Sequence, residues 1–241
     1  VKTAIEGGVK WFAVAAINEA IKVRNVSDSV RILLLTEPSL SEIDKIVSNN
    51  IDLTVYNDFF IDGLEKSGNS FNTHIKIDTG MHRVGCEPED FENIYEKIKS
   101  SSNINLAGIC THFPVADIEK APTDVSIKLF KDLISNIDTS GLLIHVDNSG
   151  STFYNFDPMF NLSRIGLAAY GCNITPVEVE HKLKPTMEIK TRISNIHHRK
   201  KGEAVSYGKA LTLERDSIIG IAPVGYADGY PWNSFPEGKV I

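Results

Sequence analysis

Lys76-Ile77-Asp78-Thr79-Gly80-Met81-His82-Arg83 is the stretch on which the reading of this chain turns. Together with His74 and Ile75 it begins as a strand whose alternate residues His74, Lys76 and Asp78 are ionisable, with apolar Ile75 and Ile77 between them. Side chains alternate between the two faces of a strand, so the faces carry opposite chemistry. A strand buried in a parallel sheet usually reads apolar on both sides. One ionisable side therefore predicts a strand that lines a polar cavity. Asp78-Thr79-Gly80 then turns the chain and delivers Arg83, which places proton-handling and anion-binding groups at the carboxyl end of the strand, where α/β proteins carry their sites. Taken alone, the same residues also fit an ordinary Lys76–Asp78 pair followed by a common turn.

Working outward, strand-like and helix-like segments alternate. A helix at 1–6 leads to the apolar run 11–15 and a helical stretch near 18–24. Strand-like segments follow at 31–35, 53–56, 73–78, 106–111, 142–146 and 165–170. Helices are expected between them: one from Ser39 to about Ser48, capped by Ser39 with Glu42 at capping-box spacing, one ending near Lys66, one entered at Pro88, and an amphipathic one over 123–136. No hairpin signal interrupts this alternation, which predicts a parallel sheet covered by helices. The glycine-rich phosphate loop of an open doubly wound sheet is absent. The expected fold is a (β/α)8 barrel lacking its first strand, over residues 1–185. From 186 to 241 helical periodicity stops. Strand-like segments at 187–196, 204–206 and 217–224 predict the start of an all-β C-terminal domain. Both ends read as cuts, because Val1 opens in a helix without an initiating Met and Lys239-Val240-Ile241 looks like the opening of a strand.

Composition narrows the function classes. The 241 residues are 42% hydrophobic with a formal charge of −6, against the basic balance of nucleic-acid binders. The one basic run, His197 to Lys201, precedes Gly202-Glu203 and reads as a solvated hairpin end. No apolar run is long enough to span a bilayer. Three cysteines without metal-ligand or disulfide spacing fit a reducing compartment, the cytoplasm. Neither a nucleic-acid nor a membrane partner is expected, and no metal.

Other strand ends repeat the chemistry of the first: Thr111-His112-Phe113, His145-Val146-Asp147-Asn148-Ser149-Gly150, and Arg164 just before Gly166. Polar groups on successive barrel strands need partners or a cavity, so one shared site explains them together. In combination with Val205-Ser206-Tyr207-Gly208 and Pro223-Val-Gly-Tyr226-Ala-Asp-Gly229, these stretches resemble the alanine racemase family, pyridoxal-phosphate enzymes with a barrel and a β domain, along essentially the whole chain.

The resemblance implies pyridoxal 5'-phosphate as cofactor, an amino acid as substrate, and interconversion of L- and D-alanine, the latter a peptidoglycan precursor. It implies that Ser149 and the backbone around Gly166 and Leu167 hold the phosphate. Arg164 would face the pyridine nitrogen, with a salt bridge to Asp78 or Asp147 as its bland alternative. Arginine only donates, so the ring would stay unprotonated and a carbanion at Cα would be reprotonated promptly, favouring racemisation. Tyr226 would be one of two opposed bases, its pKa lowered by a network of His112 and Arg164 with His145 nearby, and it would reach the site of the other subunit of a homodimer. As a bland alternative it is a turn tyrosine between glycines. Arg83 would lie beside the cofactor's phenolic oxygen and the substrate carboxylate. Lys76, which matches a lysine carbamylated in many members, would support it together with Asp78, His145 and Asn148. The lysine that holds the cofactor as a Schiff base and acts as the second base has no counterpart here. The expectation is therefore a fragment, inactive and aggregation-prone by itself, of an enzyme about half as long again. A racemase for another amino acid such as serine, a related pyridoxal-phosphate decarboxylase and a non-enzymatic cofactor-binding protein are the alternatives.

Overall fold

The computed structural model describes residues 1–154, 157–177, 183–234 and 238, and the chain divides into two compact units, Val1–Thr186 and Met187–Ile241. In the first unit, six parallel strands lie side by side in chain order: β1 (Trp11–Val14), β2 (Arg31–Leu34), β3 (Asp52–Val55), β4 (Phe71–Lys76), β5 (Ile104–Cys110) and β6 (Leu143–His145). The helices are α1 (Lys2–Glu6), α2 (Ile17–Arg24), α3 (Ile43–Ser48), α4 (Asp58–Ser67), α5 (Phe91–Ser100) and α6 (Lys120–Ile134). Each strand pairs only with its chain neighbours, and the sheet curls into the half-barrel expected of a (β/α)8 fold.

The two faces of the sheet differ as the period-2 reading requires. Ile32, Leu34, Leu53, Val55, Ile75, Ile109 and Ile144 point outward into one hydrophobic core with Ala20 and Val23 of α2, Phe60, Ile61 and Leu64 of α4, Ile94 and Ile98 of α5, and Phe130 and Ile134 of α6. Their 3–4 spacing on each helix puts them on one stripe. Local signals fix the helix ends. Asn57 accepts the Phe59 N–H at 2.9 Å to start α4, and left-handed Gly68 (φ 69°) ends it. Ser39 caps as expected, but it accepts from Ser41 and begins a tight turn over Leu40–Glu42. Glu42 pairs with Lys45 at 3.6 Å, so the capping box does not close.

The alternate residues form the inner face: Trp11, Arg31, Asp52, Thr54, His74, Lys76, Cys110 and His145. An irregularity in β4–β5 aligns them. Thr73 pairs with Leu106, but His74 pairs with Gly108, so Ala107 is skipped. Were the register unbroken, His74 would face Ala107 and every later residue of β5 would change face.

One expected strand is missing from the sheet. The segment 165–170 is a 3-10 turn over Leu167–Tyr170, between Gly166 and left-handed Gly171. Its N–H groups at Gly166 and Ala168 are taken by the Ser149 hydroxyl at 2.9 and 3.2 Å. Donors satisfied there need no ladder, and Ala and Gly have little preference for one.

In the second unit, β7 (Asn195–Arg199) pairs antiparallel with β10 (Ser217–Ile221), and β8 (Ala204–Val205) with β9 (Leu211–Thr212). The segment expected as a strand from Met187 joins the sheet only at Asn195; Met187 and Ile189 stay exposed. Lys200 pairs with Asp216 at 2.9 Å, a solvated contact in keeping with the reading of the basic run. The strand expected to open at 239–241 lies outside the described residues. No described helix is long and apolar enough to cross a membrane.

Candidate active site

The polar groups of the inner face gather toward the carboxyl ends of β4, β5 and β6. Beyond β4 the chain makes a closed loop. Cys86 donates its N–H to the Lys76 carbonyl at 2.8 Å, and Asp78 donates to the Cys86 carbonyl at 2.9 Å. Gly85 permits this return: at φ 139° its missing Cβ would sit 2.7 Å from the Asp78 nitrogen. Arg83 is thus presented, exposed, on a loop tied at both ends.

The Asp78 carboxylate anchors that loop. It accepts the Gly80 N–H at 2.8 Å. Burial pushes its pKa up, but backbone donors at Gly80, His82 and Met81, with His82 itself, hold it below the usual range. Lys76 is buried and forms no ion pair with Asp78 among the described residues. Burial, with Arg164 and Arg83 nearby, pushes its pKa down. The ordinary Lys76–Asp78 pair is therefore not what the fold makes of these residues.

Arg164 is the centre of the cluster. Its Nη1 donates to the His145 carbonyl and to His145 Nδ1, both at 2.7 Å. Its Nη2 donates to the carbonyls of Thr111 (2.6 Å) and Val146 (3.2 Å) and faces His112 Nδ1 at 3.3 Å. Every one of these bonds uses a terminal nitrogen, and Nε–H has no acceptor among the described residues. Among the described residues no carboxylate pairs with the guanidinium within 4 Å, so the salt bridge to Asp78 or Asp147 is not formed. Asp147 instead accepts from the Ser163 hydroxyl at 2.8 Å, and its other oxygen is buried without a hydrogen bond among the described residues. Burial raises its pKa, with Ser163 and Arg164 opposing.

Burial, reinforced by the charge of Arg164, favours the neutral form of both neighbouring imidazoles. Burial, then Arg164, Lys76 and Arg83, push His112 down to about 4. Burial and Arg164 likewise hold His145 well below the ordinary histidine value. A guanidinium has no acceptor, so both Nδ1 atoms must be unprotonated where they meet it.

Two residues beyond Arg164 the chain enters an anion cradle. Asn148 shapes it: its amide oxygen accepts the N–H groups of Gly150 and Ser151 at 3.0 and 3.1 Å, and its amide nitrogen reaches the Phe113 carbonyl at 3.2 Å. Gly150 is needed there, since a Cβ would lie 2.8 Å from the Asp117 nitrogen. Ser149 Oγ accepts from Gly166 and Ala168, so its own proton is left to donate. The Leu167 N–H between them has no acceptor among the described residues, and the space a Gly166 Cβ would enter holds only Ser149 Oγ, at 3.9 Å.

Thus Lys76, Asp78, His112, His145, Asn148, Ser149, Arg164, Gly166 and Leu167 meet in one unit, with Arg83 at its edge. Tyr226 belongs to the second unit, in a short turn of 226–228, exposed and edge-on against Trp232 at 5.3 Å. Three residues escaped the sequence reading. Gly108 and Asp52 border the histidines on the inner face. Tyr207 lies in the second unit, fully displayed among three left-handed residues, Ser206 (φ 72°), Gly208 (φ 64°) and Lys209 (φ 56°). Only the Val205-Ser-Tyr-Gly208 pattern signalled it.

Comparison with known proteins agrees with this arrangement. Residues 1–174 match the family described as alanine racemase, N-terminal domain, and residues 186–241 match alanine racemase, C-terminal domain. The alanine racemase of Treponema denticola is 35% identical over 238 residues, 94% of this chain and 63% of its own length. Alanine racemase 1 of Clostridium acetobutylicum is 34% identical over 98% of this chain and 64% of its own. The crystal structure of alanine racemase from E. faecalis superposes with a TM-score of 0.84 at 29% identity, covering 95% of this chain and 64% of that one. The chain spans under two thirds of the length of these relatives. Fold, inner-face chemistry and matches over both units agree: the chain belongs to the alanine racemase family.

Proposed function

We propose that the full-length protein interconverts L-alanine and D-alanine with pyridoxal 5'-phosphate, the cofactor of this family. The observation that carries the reading is Arg164: a buried guanidinium held by carbonyls and two neutral imidazoles, with its Nε–H unspent next to an anion cradle. The residues present fit the cofactor. Ser149 and the N–H of Leu167, beside Gly166, suit a phosphate, and the Arg164 Nε–H suits a ring nitrogen that must accept.

Bound pyridoxal phosphate supplies an electron sink that acidifies the Cα–H of an amino acid. Arg164 donates a hydrogen bond without giving up its proton, so electron withdrawal stays moderate and return of the proton to Cα is favoured over side reactions. Arg83, on its tied loop, binds the substrate carboxylate and the cofactor's phenolic oxygen. His112, neutral and hydrogen-bonded to Arg164, orients the base that works from the second unit. Lys76, Asp78, His145 and Asn148 support these groups.

The opposing base is a tyrosine of the second unit, supplied to the partner's site in a homodimer. Tyr226 is the assignment from the sequence resemblance. A specific observation favours a second reading, Tyr207, because three residues flanking it, Ser206, Gly208 and Lys209, all have positive φ, two of them being non-glycine, and strain of that kind concentrates at functional positions. The barrel and β domains are taken as 1–185 and 186–241, and the setting as the cytoplasm.

The test is formation of D-alanine from L-alanine by the full-length protein, assayed beside serine racemisation and lysine decarboxylation, with Tyr207→Phe and Tyr226→Phe compared. Decarboxylation without racemisation would reject the reading. Loss of turnover in only one tyrosine variant identifies the base.

A further inference from the structure

Behind Arg164 the inner face carries a chain of polar side chains that the site itself does not account for. His145 Nε2 lies 2.8 Å from His74 Nδ1, between residues 71 apart in sequence, and both rings are completely buried. His74 Nε2 in turn faces the Asp52 carboxylate at 3.9 Å and has no hydrogen bond among the described residues. Asp52, also buried, is held by Arg31 at 2.5 Å and by the Asn72 amide at 3.4 Å. Arg31 lies over the Trp11 ring at 4.7 Å, and that ring meets His74 edge-on at 5.7 Å. A continuous line of side chains thus runs across strands β6, β4, β3 and β2, from Arg164 to Arg31.

The direction of every proton in this line follows from one fixed end. Arg164 can only donate, so His145 Nδ1 must accept and the His145 proton must sit on Nε2. That proton needs an acceptor in a buried site, and among the described residues His74 Nδ1 is the one placed for it, so the His74 proton sits on Nε2 and points at Asp52. Each step removes an alternative. Asp52 favours a proton on His74 Nε2, which leaves Nδ1 bare, and a bare Nδ1 fixes the tautomer of His145.

We propose that His74, backed by Asp52, is a positioning residue for Arg164: it accepts the Nε2–H of His145 and so holds the His145 ring where its unprotonated Nδ1 meets the guanidinium. Without that acceptor the buried Nε2–H of His145 is left unsatisfied, and the ring gains by turning toward another partner, which takes Nδ1 off the guanidinium. Arg164 then loses one of the groups that hold it, and its Nε–H leaves the direction set for the cofactor. The skipped Ala107 serves this arrangement by putting Gly108 opposite His74. A Cβ at 108 would lie 2.4 Å from His74 Nδ1, the atom that meets His145.

The consequence for turnover rests on the assignment of Arg164 under the proposed function; the tautomer does not. The test is therefore 15N NMR of ring-labelled histidine in the full-length protein, first without added cofactor. The wild-type protein is expected to show His145 with Nδ1 unprotonated and Nε2 protonated. His74→Asn, whose amide oxygen stands near the place of Nδ1, keeps that signature. His74→Leu, of similar bulk but without an acceptor, shifts the His145 Nδ1 resonance toward that of an imidazole nitrogen free of hydrogen bonds and binds pyridoxal phosphate about tenfold more weakly, the loss of one hydrogen bond to a charged group. A wild-type His145 protonated on Nδ1 overturns the proposal without any variant. So does a folded His74→Leu protein with the wild-type Nδ1 resonance and affinity. A resonance that shifts as expected, in a protein that does not bind the cofactor, would instead sustain the proposal and reject the assigned role of Arg164.

Discussion

Replacing Gly108 by alanine should cost far more than one methyl group on a strand usually does. The added Cβ would lie 2.4 Å from His74 Nδ1 and 2.5 Å from the Leu143 carbonyl oxygen, where ordinary contact begins near 3.4 Å. His74 must therefore retreat by about 1 Å, which displaces Nδ1 from its 2.8 Å bond to His145. The Leu143 carbonyl is backbone in the neighbouring strand, so β6 must shift as well. Overpacking of a tight interior costs about 1–3 kcal/mol, and a lost buried hydrogen bond adds about 1–1.5 kcal/mol. The expected destabilisation is about 2–4 kcal/mol. Urea unfolding of the full-length protein, followed by far-UV circular dichroism, should show it as a lower midpoint at unchanged m value. In a double-mutant cycle, His74→Ala in the Gly108→Ala background should recover part of the loss, leaving the clash with Leu143. A Gly108→Ala protein within about 0.5 kcal/mol of wild type, below the overpacking range, would refute the account of this close approach.

Other positions respond differently. Gly166→Ala has room, its Cβ meeting only Ser149 Oγ at 3.9 Å, so thermal stability should hold while pyridoxal phosphate affinity, read by fluorescence titration, falls. Ser149→Ala should lower both, by about 1–2 kcal/mol in stability for the two N–H groups it leaves at Gly166 and Ala168. His112 has a folded pKa of about 4 against an ordinary value of 6.5, so between these the unfolded chain binds a proton that the native state refuses. Its stabilising share is complete above about pH 6.5 and is lost as the pH falls toward 4. His112→Asn should flatten the loss between pH 7 and 5 by about 1–2 kcal/mol, measured by denaturation at both pH values. Glu37→Ala should cost about 1–2 kcal/mol in the same assay, because Glu37 Oε1 accepts the N–H groups of Tyr56 at 2.6 Å and Asn57 at 2.8 Å; Glu37→Gln, which keeps an acceptor, should cost much less.

The sequence by itself determined what depends on neighbours along the chain. Period-2 alternation in 73–78 announced a strand with one polar face, Ser39 marked a helix start, and Thr111-His112, His145 to Ser149 and Arg164 marked strand ends that share a site. Only the tertiary structure decided how those strand ends meet. Strand-like 165–170 became a turn because a hydroxyl 17 residues earlier satisfied its N–H groups first. Lys76 and Asp78, adjacent on one face, did not pair, because Asp78 turned to its own loop. Arg164 met imidazoles and carbonyls instead of a carboxylate, and His74 gained its partner 71 residues away through one skipped residue in β5. Local pattern fixes which face a side chain leaves the backbone from, since that follows from backbone geometry. Which groups it then meets depends on register and on competition among buried donors and acceptors, and those are settled only when distant strands are brought together.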